Sequence, residues 1–257
     1  MSATDDANGS GIATPAFAVV AAAALLLGLL AASPASAKPG SGPHETVDIT
    51  STTTHPRAAA GFNWHATFRN PANPHADPPA LRRLVIEGPP GTKTDTSAIA
   101  RCRASDTELR QKGESACPAN TRYGYGKVTV RIFGVIESTL DSVVFNADHA
   151  QIELFKFMGG SGGFRRGVVR GRSIDAPVPT CLLGGQPPKD CPFDQVVVLS
   201  NELHTLAVGS GKGRHRRNLL TAPGSCPRSR WWKTHVTFDY ADGSADRVVT
   251  KQRCTRR

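Results

Sequence analysis

The serine with the clearest capacity for chemistry lies inside a glycine-rich run. Gly159-Gly160-Ser161-Gly162-Gly163 fits the G-x-S-x-G pattern, in which a nucleophilic serine occupies a sharp turn between a strand and a helix. Acidic and histidine residues follow in the chain order of an α/β-hydrolase: Asp175, Asp190, Asp194, His204 and His235. The segment 164–171 lacks the helical periodicity that such an elbow requires, so we interpret the run as a hairpin loop. A secreted serine hydrolase with Ser161 as nucleophile remains the alternative.

Two other patterns resemble ligand sites but each lacks a required feature. In the segment 88–94, Thr92 stands where a phosphate-binding loop needs glycine directly before lysine, so we expect no nucleotide. The histidines include no H-E-x-x-H motif and no i, i+4 pair. Asp239, Asp242 and Asp246 do not have the spacing of a calcium loop. We therefore predict no metal site and no cofactor.

Basic and aromatic residues indicate a different chemistry, the binding of an anionic polymer. The chain has 31 Lys and Arg against 21 Asp and Glu, which gives a net charge of +10. Cations beside a flat ring bind anionic polymers through charge and stacking. We select as candidate binding residues Arg165, Arg166, Arg228, Arg230, Trp231 and Lys233. An anionic envelope glycan or polymer is the expected partner and nucleic acid is not, while ordinary solvated arginines are the competing interpretation.

The cysteines indicate an oxidising compartment. Their number is even, as in a disulfide framework: Cys102, Cys117, Cys181, Cys191, Cys226 and Cys254. The sequence has no C-x-x-C motif, which is the spacing typical of a zinc knuckle. We favour pairing of sequence neighbours, since each neighbouring pair brackets one local element.

The N-terminal region resembles an export signal. An apolar stretch at 16–32 is followed by Ala35 and Ala37 in an A-x-A cleavage pattern, so we predict a signal peptide at 1–37 and secretion. Asp5 and Asp6 replace the usual positive charge, which keeps an uncleaved N-terminal membrane anchor as the alternative. Residues 38–61 are rich in Gly, Pro, Ser and Thr and predict a flexible linker, with room for a short edge strand at 47–50. Residues 62–257 are expected to form one β domain.

Alternating apolar and polar residues predict strands over most of that domain. The pattern is clearest at 62–68, where Trp64 falls on the buried face. Other expected strands are 84–87, 127–133, 142–145, 151–158, 195–200 and 203–208. One short helical turn is predicted at 105–112, because Ser105 and Glu108 form a capping box and Gly113 can end it. The fold class is therefore all-β: a disulfide-stapled antiparallel sandwich, with a barrel as the alternative.

The C-terminal region predicts a hairpin that separates two adjacent tryptophans. The alternation that ends at Tyr240 leads into Asp242-Gly243, a dipeptide typical of type I′ turns. Neighbouring strand residues point to opposite faces of a sheet. Trp232 shares its parity with the apolar residues and should be core, whereas Trp231 should be exposed.

Several short segments together resemble a group of uncharacterised exported proteins of high-GC Gram-positive bacteria. These segments are 81–86, the Gly91-Thr92 turn, 101–106, 116–118 and the hairpin from Cys226-Pro227 to Cys254. The resemblance rests on cysteine placement and turn residues, and it implies a shared disulfide-stapled β fold. It implies no activity for any residue.

The sequence thus favours a secreted, basic binding or structural module of the cell envelope that is not an enzyme. A purely structural surface protein is a further alternative. The partner itself is not identified by any motif.

Overall fold

Strands form nearly all of the regular structure in the computed structural model, which describes residues 43–156, 163–181 and 186–255. These residues belong to one unit, Ala37–Arg257. The strands are β1 Glu45–Ser51, β2 Phe62–Phe68, β3 Leu81–Glu87, β4 Lys93–Thr94, β5 Arg122–Ile132, β6 Ile136–Ala147, β7 Ala150–Lys156, β8 Phe164–Arg170, β9 Ser173–Pro177, β10 Val196–Thr205, β11 Gly209–Ser210, β12 Arg217–Asn218, β13 Leu220–Thr221, β14 Trp231–Tyr240 and β15 Ala245–Arg253. One α-helix, α1, spans Asp106–Lys112, and 3₁₀ turns span Gly113–Ala116, Ala119–Thr121 and Gly213–His215.

Eleven of these strands form one antiparallel sheet that is nearly closed as a barrel. Their order is β1-β2-β10-β5-β6-β7-β8-β9-β3-β14-β15, and β4 with β13 and β11 with β12 form two small ribbons. The all-β antiparallel prediction is confirmed, and the sheet curls into the barrel that was the alternative to the sandwich. The long strands β5, β6, β10 and β14 each pair with two neighbours, so the ladder continues without interruption from β1 to β15.

Side chains connect the two edge strands, β1 and β15. We call the junction between these strands the seam. Gln252 of β15 accepts from the backbone N–H of Ser51 and donates to its carbonyl at 2.9 Å. The Thr250 hydroxyl reaches the carbonyl of Ile49 at 3.5 Å. At one end of the seam, Asp246 accepts the backbone N–H of His44 at 3.0 Å. The barrel is therefore joined here by a few side chains.

The barrel interior is apolar on most of its walls. The main buried cluster unites both ends of the chain and includes Ile49, Trp64, Leu84, Val144, Leu203, Val236 and Phe238. A second cluster lies outside the barrel, where α1 places Leu109 over the outward side chains of β6, β7 and β8, including Phe145, Ile152 and Phe164. The predicted core positions of Trp64 and Trp232 are confirmed.

Three disulfides fasten local elements of the sheet. They join Cys102 to Cys117, Cys181 to Cys191, and Cys226 to Cys254, which is the pairing of sequence neighbours that we expected. Disulfides of this density are typical of an oxidising, extracellular environment.

The predicted helix is also confirmed. The Ser105 hydroxyl accepts the backbone N–H of Glu108 at 3.3 Å, and the Glu108 carboxylate accepts the backbone N–H of Ser105 at 2.9 Å, which completes the capping box. Gly113 ends the helix with a φ of 56°. Within the described ranges, no helix combines the length and apolarity needed to cross a bilayer.

Three sequence-based expectations need correction. The predicted linker 38–61 is folded from residue 45 onward, because the expected edge strand is longer, pairs fully with β2 and buries Ile49. The segment 164–170 is the strand β8, which the glycine-rich sequence concealed. The hairpin loop spans 241–244, and since only Gly243 has a positive φ there, the turn is not type I′. The proposed signal peptide, 1–37, lies outside the described residues.

Candidate functional site

The outer surface of the C-terminal hairpin carries the candidate binding residues. In β14 and β15, side chains alternate between the core and the outside, and several of the outward ones are basic or aromatic. We call this surface the basic face. It consists of Arg228, Arg230, Trp231, Lys233, Arg247, Lys251 and Arg253, all of which are exposed.

Strand register brings the members of the basic face together. Trp231 lies opposite Arg253, and Lys233 lies opposite Lys251. Opposite residues on one face have Cβ atoms about 5 Å apart, and successive outward residues along a strand are about 7 Å apart. Trp231 is 45 % exposed while Trp232 is 4 % exposed, so the predicted division of the two tryptophans is confirmed. The indole thus lies at one end of a row of cations.

The cations of the basic face have no ion-pair partner among the described residues. Arginines elsewhere in the sheet are usually paired, as Arg83 is with Asp175 at 2.8 Å and with Asp239 at 3.2 Å. That network also forms one border of the basic face, because Asp239 is on the same side of β14. Hairpin cations are therefore available to an external anion, since Asp239 on β14 is paired with Arg83 and Glu87 on β3 is paired with Arg172.

Two predicted binding residues are found elsewhere. Arg165 is not a surface residue: it is 9 % exposed, and its Nε donates to buried Glu153 at 2.7 Å inside the barrel. Arg166, next along β8, points outward and donates to Asp106 at 3.0 Å and to the carbonyl of Ala104 at 3.1 Å. Strands β9 and β3 separate β8 from the hairpin. We therefore remove both arginines from the binding surface.

The hydrolase motif gains no support from its surroundings. Ser161 lies outside the described residues, in the stretch that joins β7 to β8. These strands are antiparallel neighbours, and the segment after the serine is a strand, whereas a nucleophile elbow leads into a helix. Of the expected acid residues, Asp175 pairs with Arg83 and Asp194 pairs with Arg82 at 2.9 Å. Neither carboxylate orients a histidine.

A cluster at the seam was not anticipated from the sequence. The His44 Nδ1 lies 2.7 Å from the Asp246 carboxylate, and Tyr240 donates its hydroxyl proton to Glu45 at 2.6 Å. Burial is the main cause that raises the pKa of Glu45 to about 7; the Tyr240 hydrogen bond opposes this shift and Asp246 adds to it. About 200 residues separate His44 and Glu45 from Asp246, so no local spacing pattern could reveal the cluster.

Apolar spaces inside the sheet are small. One measures about 50 Å³ and is lined by residues such as Trp64, Val128 and Phe155, while another of about 80 Å³ lies near Trp232 and Ile86. An engineered cavity that binds benzene is about 150 Å³. These two spaces are therefore too small, as they stand, for an organic ligand of ordinary size.

Comparisons with known proteins give no functional assignment. No protein-family model matches this chain, and no curated protein matches it. Among solved structures, the chain is similar to AvmM, which catalyzes macrocyclization in alchivemycin A biosynthesis, at 8 % sequence identity and a TM-score of 0.26. The match covers 82 % of this chain and 90 % of that one. A likeness at this level carries no argument about fold or activity.

Proposed function

We propose that this protein is a secreted module that binds an anionic polymer of the cell envelope through the basic face. The observation that carries the proposal is the row of cations beside exposed Trp231 on one hairpin, none of which has an ion-pair partner among the residues that the structure describes. Ordinary surface arginines would be scattered and mostly paired with carboxylates, as they are elsewhere in the sheet. The three disulfides support a location outside the cytoplasm.

The arrangement of the cations suits a repeating anion. Lys233 and Lys251 are directly opposite each other, and like charges in that position destabilise an antiparallel pair. An anionic group placed between the two ammonium groups would remove this repulsion. Because Arg247 and Arg253 lie further along β15, and Arg228 and Arg230 directly precede β14, successive anionic groups of one polymer could be bound in the same way.

Trp231 adds a contact that does not depend on charge. Its exposed indole can stack on the flat, apolar face of a sugar ring, while Arg253 and Arg230 lie close enough in sequence or register to pair with charged substituents. The proposed ligand class is therefore an acidic glycan. A polymer without rings would lose the stacking contribution and bind more weakly.

The disulfide Cys226–Cys254 keeps the basic face in one conformation. It connects the turn that carries Arg228 and Arg230 to the end of β15, directly after Arg253. Ordering long side chains on a mobile loop would cost binding free energy, and a fastened loop reduces that cost.

Binding of fluorescein-labelled dextran sulfate, measured by fluorescence anisotropy, tests the proposal. We expect wild-type protein to bind this acidic glycan, with affinity that falls as salt rises, and to ignore neutral dextran. Trp231→Ala combined with Lys233→Gln should raise the Kd at least about tenfold, while circular dichroism and the Tm stay near wild type.

A matched control is available on β5, where Tyr125 and Lys127 are an exposed aromatic and an exposed lysine two residues apart. Lys127 lies opposite Asp141 and Glu202 in the register, so it faces acidic neighbours. Tyr125→Ala combined with Lys127→Gln removes the same charge and should leave the Kd unchanged. An equal loss of affinity in the two double variants would show that binding depends on net charge alone, and it would overturn the assignment of the basic face.

A further inference from the structure

Three potential metal ligands meet at one end of the seam. His44, Glu45 and Asp246 each place a ligand atom within 4.8 Å of those of the other two. Two of them precede or begin β1, and the third belongs to β15. The cluster therefore joins the two edge strands of the barrel.

One oxygen in this cluster lacks any hydrogen-bond partner among the described residues. Glu45 is 3 % exposed, and while its Oε2 accepts from Tyr240 at 2.6 Å, its Oε1 is buried without a donor. Unpaired buried carboxylate oxygens are costly, and in native proteins they call for a specific explanation. No Lys or Arg forms an ion pair with Glu45 or Asp246 in the described chain, and Asp242 places a third carboxyl group near His44 and Tyr240. His44 is the one basic side chain that the described residues pair with these carboxyl groups.

We propose that His44, Glu45 and Asp246 bind a divalent transition-metal ion, with Zn²⁺ as the best match, and that the ion links β1 to β15. This site is independent of the basic face. Two carboxylates supply the negative charge that a dication needs, and the buried Glu45 Oε1 becomes a ligand. The imidazole nitrogen favours Zn²⁺ over Ca²⁺ or Mg²⁺, which take oxygen ligands almost alone.

The dimensions require only local adjustment. Zn²⁺ lies about 2.0–2.2 Å from nitrogen and carboxylate ligands. Tetrahedral ligands around it are then roughly 3.4 Å apart. The His44 Nδ1 and the Asp246 oxygen, now 2.7 Å apart, would separate as the ion replaces the proton they share. Side-chain exposures of 15 % for His44 and 25 % for Asp246 show that these two ligands are in partial contact with solvent, from which an ion would enter.

Tyr240 is a positioning residue in this arrangement. Its hydroxyl fixes Glu45 Oε2, so that the other carboxyl oxygen is directed toward the cluster. With three protein ligands on the two edge strands, the ion would act as a clamp on the seam. Its expected effect is on stability, since it binds the closed barrel and not the unfolded chain.

Titration of the full, oxidised chain with ZnCl₂ tests the proposal. Isothermal titration calorimetry after removal of metals with EDTA should show one Zn²⁺ per chain, and Zn²⁺ should raise the Tm whereas Mg²⁺ should not. His44→Ala, Glu45→Gln and Asp246→Asn should each weaken binding at least about tenfold.

The exposed pair of His65 and Glu202, 3.8 Å apart on neighbouring strands, provides the control. His65→Ala should bind Zn²⁺ like wild type. Co²⁺ gives a readout that needs no variant, because its visible d–d absorption in a four-coordinate nitrogen and oxygen site is much stronger than that of Co²⁺ in water. Zn²⁺ should displace the Co²⁺ and remove this extra absorption. Absence of Zn²⁺ binding by wild type, wild-type affinity in His44→Ala, or loss of affinity in His65→Ala would each overturn the site.

Discussion

The hairpin β14–β15 and the pair β7–β8 contain similar numbers of basic residues but use them in opposite ways. On the hairpin, the cations point outward and have no described partner. On β8, Arg165 points into the barrel toward Glu153, and Arg166 points outward toward Asp106. A cluster of arginines in the sequence therefore does not indicate a binding surface until the ion-pair partner of each guanidinium is known.

The energetic consequences differ as well. A buried ion pair is strongly coupled to the fold, because the loss of one member leaves an uncompensated charge in an apolar interior. Exposed, unpaired cations contribute little to stability and can even reduce it by repulsion. The pair β7–β8 should thus respond to substitution through the free energy of unfolding, and the hairpin through ligand binding.

The largest effect should come from Arg165→Met. It leaves the Glu153 carboxylate buried and unpaired, so we expect a loss of about 3–5 kcal/mol in the free energy of unfolding, measured by urea denaturation. Adding Glu153→Leu should recover most of the loss. Arg166→Gln, with an exposed partner, should cost less than about 1 kcal/mol. Equal costs for the two single variants would break the comparison between inward and outward arginines.

The adjacent residues Trp231 and Trp232 should differ almost as much in their contribution to the free energy of unfolding. Trp232→Ala removes a side chain that packs with Ala60, Ala222 and Cys254, and it should cost about 3–5 kcal/mol. Trp231→Ala should leave the free energy of unfolding within about 0.5 kcal/mol of wild type. Thermal denaturation of both variants decides the matter, and a reversed order would mean that a bulge shifts the alternation of β14.

The disulfide Cys226–Cys254 at the basic face should contribute more to the free energy of unfolding than Cys181–Cys191, which closes a shorter loop. Cys226 and Cys254 are separated by 28 residues, and Cys181 and Cys191 by 10. Chain entropy predicts about 3–4 kcal/mol for the first and about 1 kcal/mol less for the second. Paired Cys→Ala variants, unfolded in guanidinium, give both values. A Cys226/Cys254 variant that keeps full affinity for dextran sulfate would show that the bond does not order the basic face.

Lys251→Gln should have the smallest effect and the opposite sign. Relief of repulsion from Lys233 should raise the free energy of unfolding by about 0.5 kcal/mol at low salt. The gain should disappear near 1 M salt, where charges are screened over about 3 Å. Destabilisation at low salt would indicate that Lys251 has a partner and sharpen the description of the basic face.

Local rules in the sequence were sufficient for much of this architecture. The capping box of α1, the pairing of neighbouring cysteines and the division of Trp231 from Trp232 each depend on residues close in the chain or on the two-residue period of a strand. All three predictions are confirmed. Four members of the basic face, Arg228, Arg230, Trp231 and Lys233, were also candidates from the sequence, whereas Arg247, Lys251 and Arg253 join them only through the strand register. The role of this face in binding stays a prediction.

Features that depend on strand order could not be predicted in this way. Arg165 and Arg166 differ only by parity on a strand that the glycines had concealed, so their separate partners were hidden too. The seam cluster unites residues from opposite ends of the chain, and it exists only because the sheet curls until β1 meets β15. No propensity of His44 or Asp246 taken alone carries that information.

The seam also follows from simple counting. With eleven strands in which every hydrogen-bonded neighbour is antiparallel, the first and last must run in the same direction. The contacts confirm this, since His44, Ile49 and Ser51 meet Asp246, Thr250 and Gln252 in ascending order. An odd number of alternating strands cannot close with another antiparallel ladder. In the described chain β1 and β15 form no backbone ladder, so the hydrogen bonds that hold these two strands together come from the side chains of Asp246, Thr250 and Gln252, and the choice of amino acid matters more at this junction than in the ladders.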